Sequence, residues 1–210
     1  MLEPAAGADG ALKTARKGVG LYRLTVRGRA AHAGSDPDKG VSAVAELARQ
    51  VLALEALAAQ EKGTTINVGV VRGGTRSNVI PEAAEAEIDV RAATLDEARR
   101  VDAAIRGLKP VLPGTTLEVT GGINRPPMER TAAIGALFAR ARAIAARLGF
   151  SLSEAAVGGA SDGNFTAALG VPTLDGLGCV GDGAHAEHEH IVIDALAPRA
   201  ALLAHLLAEL

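Results

Sequence analysis

Tryptophan is absent from the 210 residues, and three Phe and one Tyr are the only other aromatics. A core must therefore be assembled from Ala, Val, Leu and Ile, packed closely without large aromatic anchors. No apolar run approaches the roughly 20 residues of a membrane-spanning helix, so no membrane partner is expected. The lone Cys179 excludes an internal disulfide and suits a reducing compartment. The opening Met-Leu-Glu-Pro has neither the basic nor the apolar segment of a secretory signal, and the reading is a soluble, cytoplasmic protein. Neither sign of charge dominates: 22 Lys and Arg against 24 Asp and Glu leave −2. That balance lacks the basic footprint nucleic acid requires, so no nucleic-acid partner is expected. What is plentiful is apolar aliphatic residue: a 48% hydrophobic chain can bury a real core, in one large domain or two modest ones.

The patterning changes once along the chain. Residues 21–27 form a β-rich run ending at Gly28. Residues 39–57 read as a helix, with Val41, Val44, Ala48, Val51 and Leu52 on one apolar face. Residues 64–71 alternate, with Ile66, Val68 and Val70 on one side, until Gly73-Gly74. Residues 82–91 alternate more cleanly: Ala84, Ala86, Ile88 and Val90 face one way, and Glu85, Glu87, Asp89 and Arg91 the other. That is a half-buried strand with one wet face. Thr94-Leu-Asp-Glu97 is a capping box opening a helix to about Gly107, and residues 115–120 form another strand. The order β-α-β-β-α-β is the ferredoxin-like pattern, two helices on one face of a four-stranded antiparallel sheet. After Arg125-Pro-Pro the rhythm becomes α/β. It has a long Ala-rich helix over 131–148, a short strand over 151–157, a short helix to Leu169 and a strand near 172–177. A glycine-rich loop follows, then Asp194 as N-cap of a C-terminal helix. This second part holds too few strands to cover its helices on both faces.

Five histidines serve the whole chain, and three fall within His185-Ala-Glu187-His188-Glu189-His190. Neutral imidazoles and carboxylates are usual zinc ligands where they converge; otherwise the segment is a solvated loop. His32 follows a strand and precedes Ala-Gly, which suits donation to a substrate oxygen as well as it suits a surface turn. Asp162 opens a short helix and reads first as its cap. Asn78, before Val-Ile-Pro, either orients a ligand or closes a turn. Arg125 either grips a carboxylate bidentately or forms an interdomain ion pair. Glu3 is a ligand or a plain surface acid. A Cys179–His pair lacks a strained-turn signature and is set aside.

Taken in order and spacing, several segments resemble one family: Leu2-Glu3-Pro4, Lys13-Thr-Ala-Arg-Lys-Gly18, Gly28-Arg-Ala-Ala-His32-Ala-Gly34, Ser77-Asn-Val-Ile-Pro81, Gly158-Gly-Ala-Ser-Asp162 and Gly183-Ala-His185. The chain is similar, over essentially its full length, to the zinc-dependent exopeptidases and amidohydrolases. These include glutamate carboxypeptidase, aminoacylase, acetylornithine deacetylase and succinyl-diaminopimelate desuccinylase, and the chain looks most like the glutamate carboxypeptidase branch. The resemblance implies a fold that is part α/β and part α+β. In it a ferredoxin-like lid, used for homodimerisation, is inserted into an α/β catalytic domain that binds two zinc ions. It implies a lid over 19–127, with 1–18 and 128–210 belonging to the catalytic domain. By the same resemblance Glu3 binds one zinc and His185 the other, and His32 reaches the partner's active site to steady an oxyanion. Asn78 and Arg125 hold the substrate's carboxylate end, and Glu189 is a supporting acid behind the ligand histidine. His188 and His190 then return to the loop reading.

The family's first zinc histidine, its bridging aspartate and its paired glutamates, one of them the general base, precede the Glu-Pro motif, at which this chain begins. Two metal ligands remain where a catalytic zinc needs three. The implied function is part of a co-catalytic zinc carboxypeptidase or amidohydrolase acting on a peptide or N-acyl amino acid with a free carboxylate, and the chain alone is expected to be inactive. Two rivals stand beside it: a non-catalytic dimerisation or binding module, and a free-standing hydrolase using the 185–190 cluster.

Overall fold

A computed structural model describes residues 1–209. The elements run β1 Leu12–Arg16, β2 Gly18–Arg27, β3 Ala31–His32, α1 Ala43–Glu55, β4 Thr65–Gly73, β5 Val79–Ile80, β6 Ala83–Ala92, α2 Leu95–Arg106 and β7 Thr116–Arg125. They continue α3 Ala132–Arg147, β8 Glu154–Val157, α4 Gly163–Ala168, β9 Gly181–Asp182, β10 His190–Ile191 and α5 Leu196–Glu209. Two compact units result: Gly18–Arg125, and Met1–Lys17 together with the residues from Pro126 onward. Among the described residues no helix is long and apolar enough to cross a membrane.

The unit Gly18–Arg125 is the β-α-β-β-α-β arrangement read from the sequence. Its four-stranded antiparallel sheet has the order β4-β6-β2-β7. The strict alternation of β6 puts Ala84, Ala86, Ile88 and Val90 into a core with Leu24, Val26, Leu47, Leu54, Val101 and Ile105. Both helices therefore cover one face, and Arg23, Glu85, Glu87 and Asp89 stay on the other. Ser42 and Thr94 cap the two helices, their side chains accepting the N–H of Ala45 and of Glu97.

Two sequence expectations fail here for tertiary reasons. The buried stripe of α1 is Ala43, Glu46, Leu47, Gln50 and Leu54, while Val44 and Leu52 are exposed. Glu46 is drawn inward because its carboxylate accepts the N–H groups of Val111 and Leu112, at 3.0 and 2.7 Å, and the amide of Gln50 at 2.6 Å. Burial pushes the Glu46 carboxyl up, but these bonds outweigh it and hold it below its ordinary value. The second failure is Val70. The β4–β6 register shifts between Val68 and Val70, leaving Gly69 as a bulge. Ile66 and Val68 pack on the core, whereas Val70 pairs opposite Glu87 on the wet face.

In the other unit β1 and β8 form a parallel pair. Leu12 joins Phe138, Ala141, Ile144, Leu152, Leu174, Leu202 and Leu206 in its core under α3 and α5. The strand expected near 172–177 is not formed. Only Asp175 bridges the sheet, exchanging backbone bonds with Lys13 at 2.8 and 3.1 Å. Pro172 has no N–H, and Gly176 sits at φ +75, which breaks an extended run. Asp194 is not a helix cap either: it lies inside a 3₁₀ turn, Ile193–Ala195, that leads into α5.

Candidate active-site residues

The extended chain leaving β2 returns through a short ribbon in which Ala31 pairs with Ile80 and His32 with Val79. Ala33 then donates its N–H to the carbonyl of Asn78 at 3.0 Å. The fold thus brings His32 and Asn78 together, both exposed, at one end of the sheet. His32 is wrapped by its own turn: its Nδ1 accepts the N–H of Gly34 at 3.1 Å and of Ser35 at 3.0 Å. Its carbonyl accepts the N–H of Asp36 at 3.0 Å. Beside the ribbon lies a hollow of about 340 Å³, lined among others by Arg27, Arg72, Glu82, Glu85 and Val79. Its two guanidiniums face two carboxylates, so it carries no net attraction for an anion.

Arg125 is elsewhere. It closes β7, is half-buried, and pairs with Val19 near the start of β2, whereas the ribbon begins beyond Arg27 at the other end of that strand. Eight residue steps of about 3.4 Å separate the two ends by roughly 27 Å. One copy of this unit therefore does not bring Arg125 to His32 and Asn78.

In the other unit Glu3 is held by backbone: its carbonyl accepts the N–H of Gly178 at 2.9 Å, and Ala5 donates to the Cys179 carbonyl at 2.8 Å. Gly178 is required there, since a Cβ would sit 2.5 Å from the Leu2 carbonyl oxygen and 2.8 Å from that of Glu3. His185 tops a hairpin whose strands β9 and β10 pair Gly181 with Ile191. It is the one non-glycine residue with positive φ, at 67, among the described residues. Such strain in an ordinary residue is often kept at functional positions. Glu189 accepts the backbone N–H of His185 at 3.2 Å, so it supports the loop rather than the imidazole. His190 turns its Nδ1 to the carbonyl of His188 at 3.1 Å. Among the described residues no three His, Cys, Asp or Glu side chains are grouped as a metal ion requires. Glu3 and His185 alone do not fit a zinc ion, which needs at least three protein ligands.

Sequence reasoning missed a buried polar network under the Gly158–Asp162 loop. Arg16 donates Nε–H to Asp175 at 2.7 Å and Nη1–H to the Gly159 carbonyl at 2.8 Å. The Ser161 hydroxyl donates to Asp175 at 2.6 Å and accepts the N–H of Gly163 at 3.1 Å. Asp162 makes no capping bond with its side chain, contrary to expectation: the N–H groups of Asn164 and Phe165, which a cap there would take, go to the backbone carbonyls of Ser161 and Asp162 at 3.2 and 3.0 Å. Asn164 accepts the Ser161 N–H at 2.9 Å and donates to the Pro126 and Lys17 carbonyls. Burial pushes the Asp175 carboxyl up, and the Ser161 hydroxyl, the Gly176 N–H and Arg16 together bring it below its ordinary value. The signal was present in β1, where Leu12, Thr14 and Arg16 share the buried phase: a cation at a buried strand position needs a partner.

Comparison with known proteins gives a consistent outcome. Residues 14–108 match the M20 peptidase dimerisation domain. The chain is 29% identical over 215 residues to carboxypeptidase G2 of Pseudomonas sp. (strain RS-16), spanning 99% of this chain and 51% of that protein. It is 40% identical over 68 residues to a p-aminobenzoyl-glutamate hydrolase chain of Escherichia coli (strain K12), spanning 32% of this chain and 16% of that one. The structure of aminopeptidase PepT from Bacillus cereus ATCC 10987 matches with a TM-score of 0.79 at 25% identity, over 98% of this chain and 55% of that chain. The chain spans about half the length of carboxypeptidase G2 and of that aminopeptidase.

Proposed function

We propose that this chain, which belongs to the M20 peptidase and amidohydrolase family, supplies the homodimerisation lid and part of the catalytic domain of a cytoplasmic two-zinc carboxypeptidase or amidohydrolase. The lid spans 19–127, and 1–18 and 128–210 belong to the catalytic domain. The substrate is a peptide or N-acyl amino acid whose amide lies next to a free carboxylate. Arg125 grips that carboxylate through parallel N–H donors, and Asn78 adds a side-chain amide. His32 donates a hydrogen bond to the oxygen that becomes negative as the amide carbon turns tetrahedral. Glu3 and His185 are this chain's candidates for metal ligation in the complete site, with Glu189 behind His185. Bound zinc would supply an activated water. The chain by itself, with two candidate ligands, is inactive.

The observation that carries this reading is that Arg125 pairs with Val19 at one end of β2 while the His32–Asn78 ribbon lies beyond Arg27 at the other, a strand span of roughly 27 Å. One substrate can meet both groups only if they come from two copies. A symmetric dimer provides that arrangement, since each copy lends its ribbon to the other's site. The exposed Val44 and Leu52 of α1, beside the unpaired edge strand β4, support a dimer contact on that side.

The test is complementation in the complete enzyme. His32→Ala and Arg125→Ala are each expected to be nearly inactive. Mixed and re-equilibrated, they should regain on the order of a quarter of the wild-type rate, because half the dimers are mixed and each carries one intact site. No recovery would place both residues in the site of one and the same copy or in none. The second reading, a dimeric binding module without catalysis, predicts a stable dimer in which neither substitution changes any hydrolysis.

A further inference from the structure

We infer that the turn following His32 is a positioning device that fixes this imidazole as its Nε2–H tautomer, so that His32 acts as a hydrogen-bond donor and never as a base. Gly34 and Ser35 are then positioning residues acting through their backbone amides. The inference rests on the oxyanion role proposed for His32 only for its functional meaning; the tautomer itself follows from the turn.

A neutral imidazole has one N–H and one lone pair in the ring plane. Nδ1 of His32 receives two backbone N–H groups, from Gly34 at 3.1 Å and Ser35 at 3.0 Å. Both are donors without choice, because an amide nitrogen carries its hydrogen and offers no lone pair. Nδ1 must therefore supply the lone pair, and the ring proton resides on Nε2. The opposite tautomer would set an Nδ1 hydrogen against two amide hydrogens and leave both amides without this acceptor.

The turn is held from both sides. The His32 carbonyl accepts the Asp36 N–H, and the ribbon fixes the preceding backbone through Ala31–Ile80, His32–Val79 and the Ala33 N–H on Asn78. The imidazole thus turns its Nδ1 edge onto its own loop and keeps Nε2–H for an external acceptor. Nε2–H can stabilise an oxyanion at once, with no proton first taken from or given to solvent. It cannot accept a proton at that nitrogen, so the general base of the reaction must be another group.

Position 34 has room for a Cβ, which allows a clean control. A Cβ there would lie 3.5 Å from His32 Cε1 and 3.7 Å from Nδ1, which is ordinary van der Waals contact. Gly34→Ala therefore keeps the N–H and the turn. Gly34→Pro removes the N–H and one of the two bonds.

The experiment is ¹⁵N–¹H correlation of the histidine rings in the 210-residue chain, without metal or substrate, with the His32 signals assigned by their loss in His32→Ala. Wild type and Gly34→Ala should show an unprotonated-type Nδ1 and a pyrrole-type Nε2, with through-hydrogen-bond coupling from the Gly34 and Ser35 amides to Nδ1. Gly34→Pro should lower the Nε2–H to Nδ1–H ratio by about fivefold, the equilibrium equivalent of one net hydrogen bond. A protonated Nδ1 in the wild type overturns the inference, as does an unchanged ratio in a folded Gly34→Pro. If Gly34→Pro does not fold, the wild-type couplings decide alone: their absence overturns it. A fixed Nε2–H tautomer together with full activity of His32→Ala in the complete enzyme would sink the oxyanion role and leave the positioning turn standing.

Discussion

Arg16 donates its Nε–H to Oδ2 of Asp175 at 2.7 Å, with the two side chains only 4% and 0% exposed. This pair ties β1 to the loop that carries Ser161 and Gly159. Removing one charge leaves the other buried without compensation, which costs about 3–5 kcal/mol. Asp175→Asn should therefore lower the urea midpoint of its unit strongly at an unchanged slope. A midpoint within error of the wild type would show the pair to be dispensable.

Stability should fall on acidification through a defined window. The Glu97 carboxyl is held down at about 2, first by hydrogen bonds from Arg100 and then by the Thr64 hydroxyl, against an ordinary value of 4.5. Its folded value lies below its unfolded one, so its contribution is complete above 4.5 and is lost as the pH falls towards 2. Thermal unfolding measured across that range should show a shallower acid limb in Glu97→Gln than in the wild type. Equal limbs would mean that other carboxylates carry the effect.

The exposed apolar stripe of α1 makes a prediction about assembly. Leu52 is 69% exposed in the single chain, so Leu52→Glu costs the isolated fold little. In a symmetric contact it would set like charges against one another. Sedimentation should show the wild type at the mass of two chains and Leu52→Glu at one, with similar melting temperatures. A dimeric Leu52→Glu would move the contact to another edge.

Zinc should not stay with the chain on its own. Two candidate ligands, Glu3 and His185, fall short of the three that hold a catalytic zinc. After incubation with zinc and gel filtration, metal analysis should find far less than one ion per chain. A stoichiometric ion whose retention depends equally on His188 would point instead to a site within residues 185–190.

Gly178→Ala tests the anchoring of Glu3. The added Cβ meets two backbone carbonyls at 2.5 and 2.8 Å, and neither can swing away as a side-chain tip would. Overpacking of this kind costs about 1–3 kcal/mol. The amides of Ala5 and Gly178 should exchange faster in the variant, and unchanged protection would show that residues 1–5 can shift without loss.

Much of the lid-like unit was legible in its sequence because each strand there has one wet face. The alternation of Ala84 to Arg91 specifies both the strand and which side faces the core. Thr94 announces a helix start through chemistry confined to three residues, whereas the start of α1 at Ala43, capped by Ser42, lies four residues beyond the start expected at 39. The other unit was less legible. Its strands are short, Pro172 to Leu177 forms no strand, Asp162 stands where a cap usually stands while backbone carbonyls take the N–H groups, and Asp194 lies inside a 3₁₀ turn. Local composition cannot tell a cap from a residue of the same type whose neighbouring N–H groups are already bonded elsewhere.

By itself the sequence determined the β-α-β-β-α-β order. That order depends on period-two and period-3.6 patterning and on turns of a few residues. Only the tertiary structure decided that Glu46 is buried, that a bulge at Gly69 turns Val70 outward, and that Arg16 finds Asp175. It alone set Arg125 at the far end of the sheet from His32. The physical reason is common to all four. Each outcome depends on which groups from distant segments satisfy a buried polar atom or occupy a register position, and no window of local sequence contains both partners.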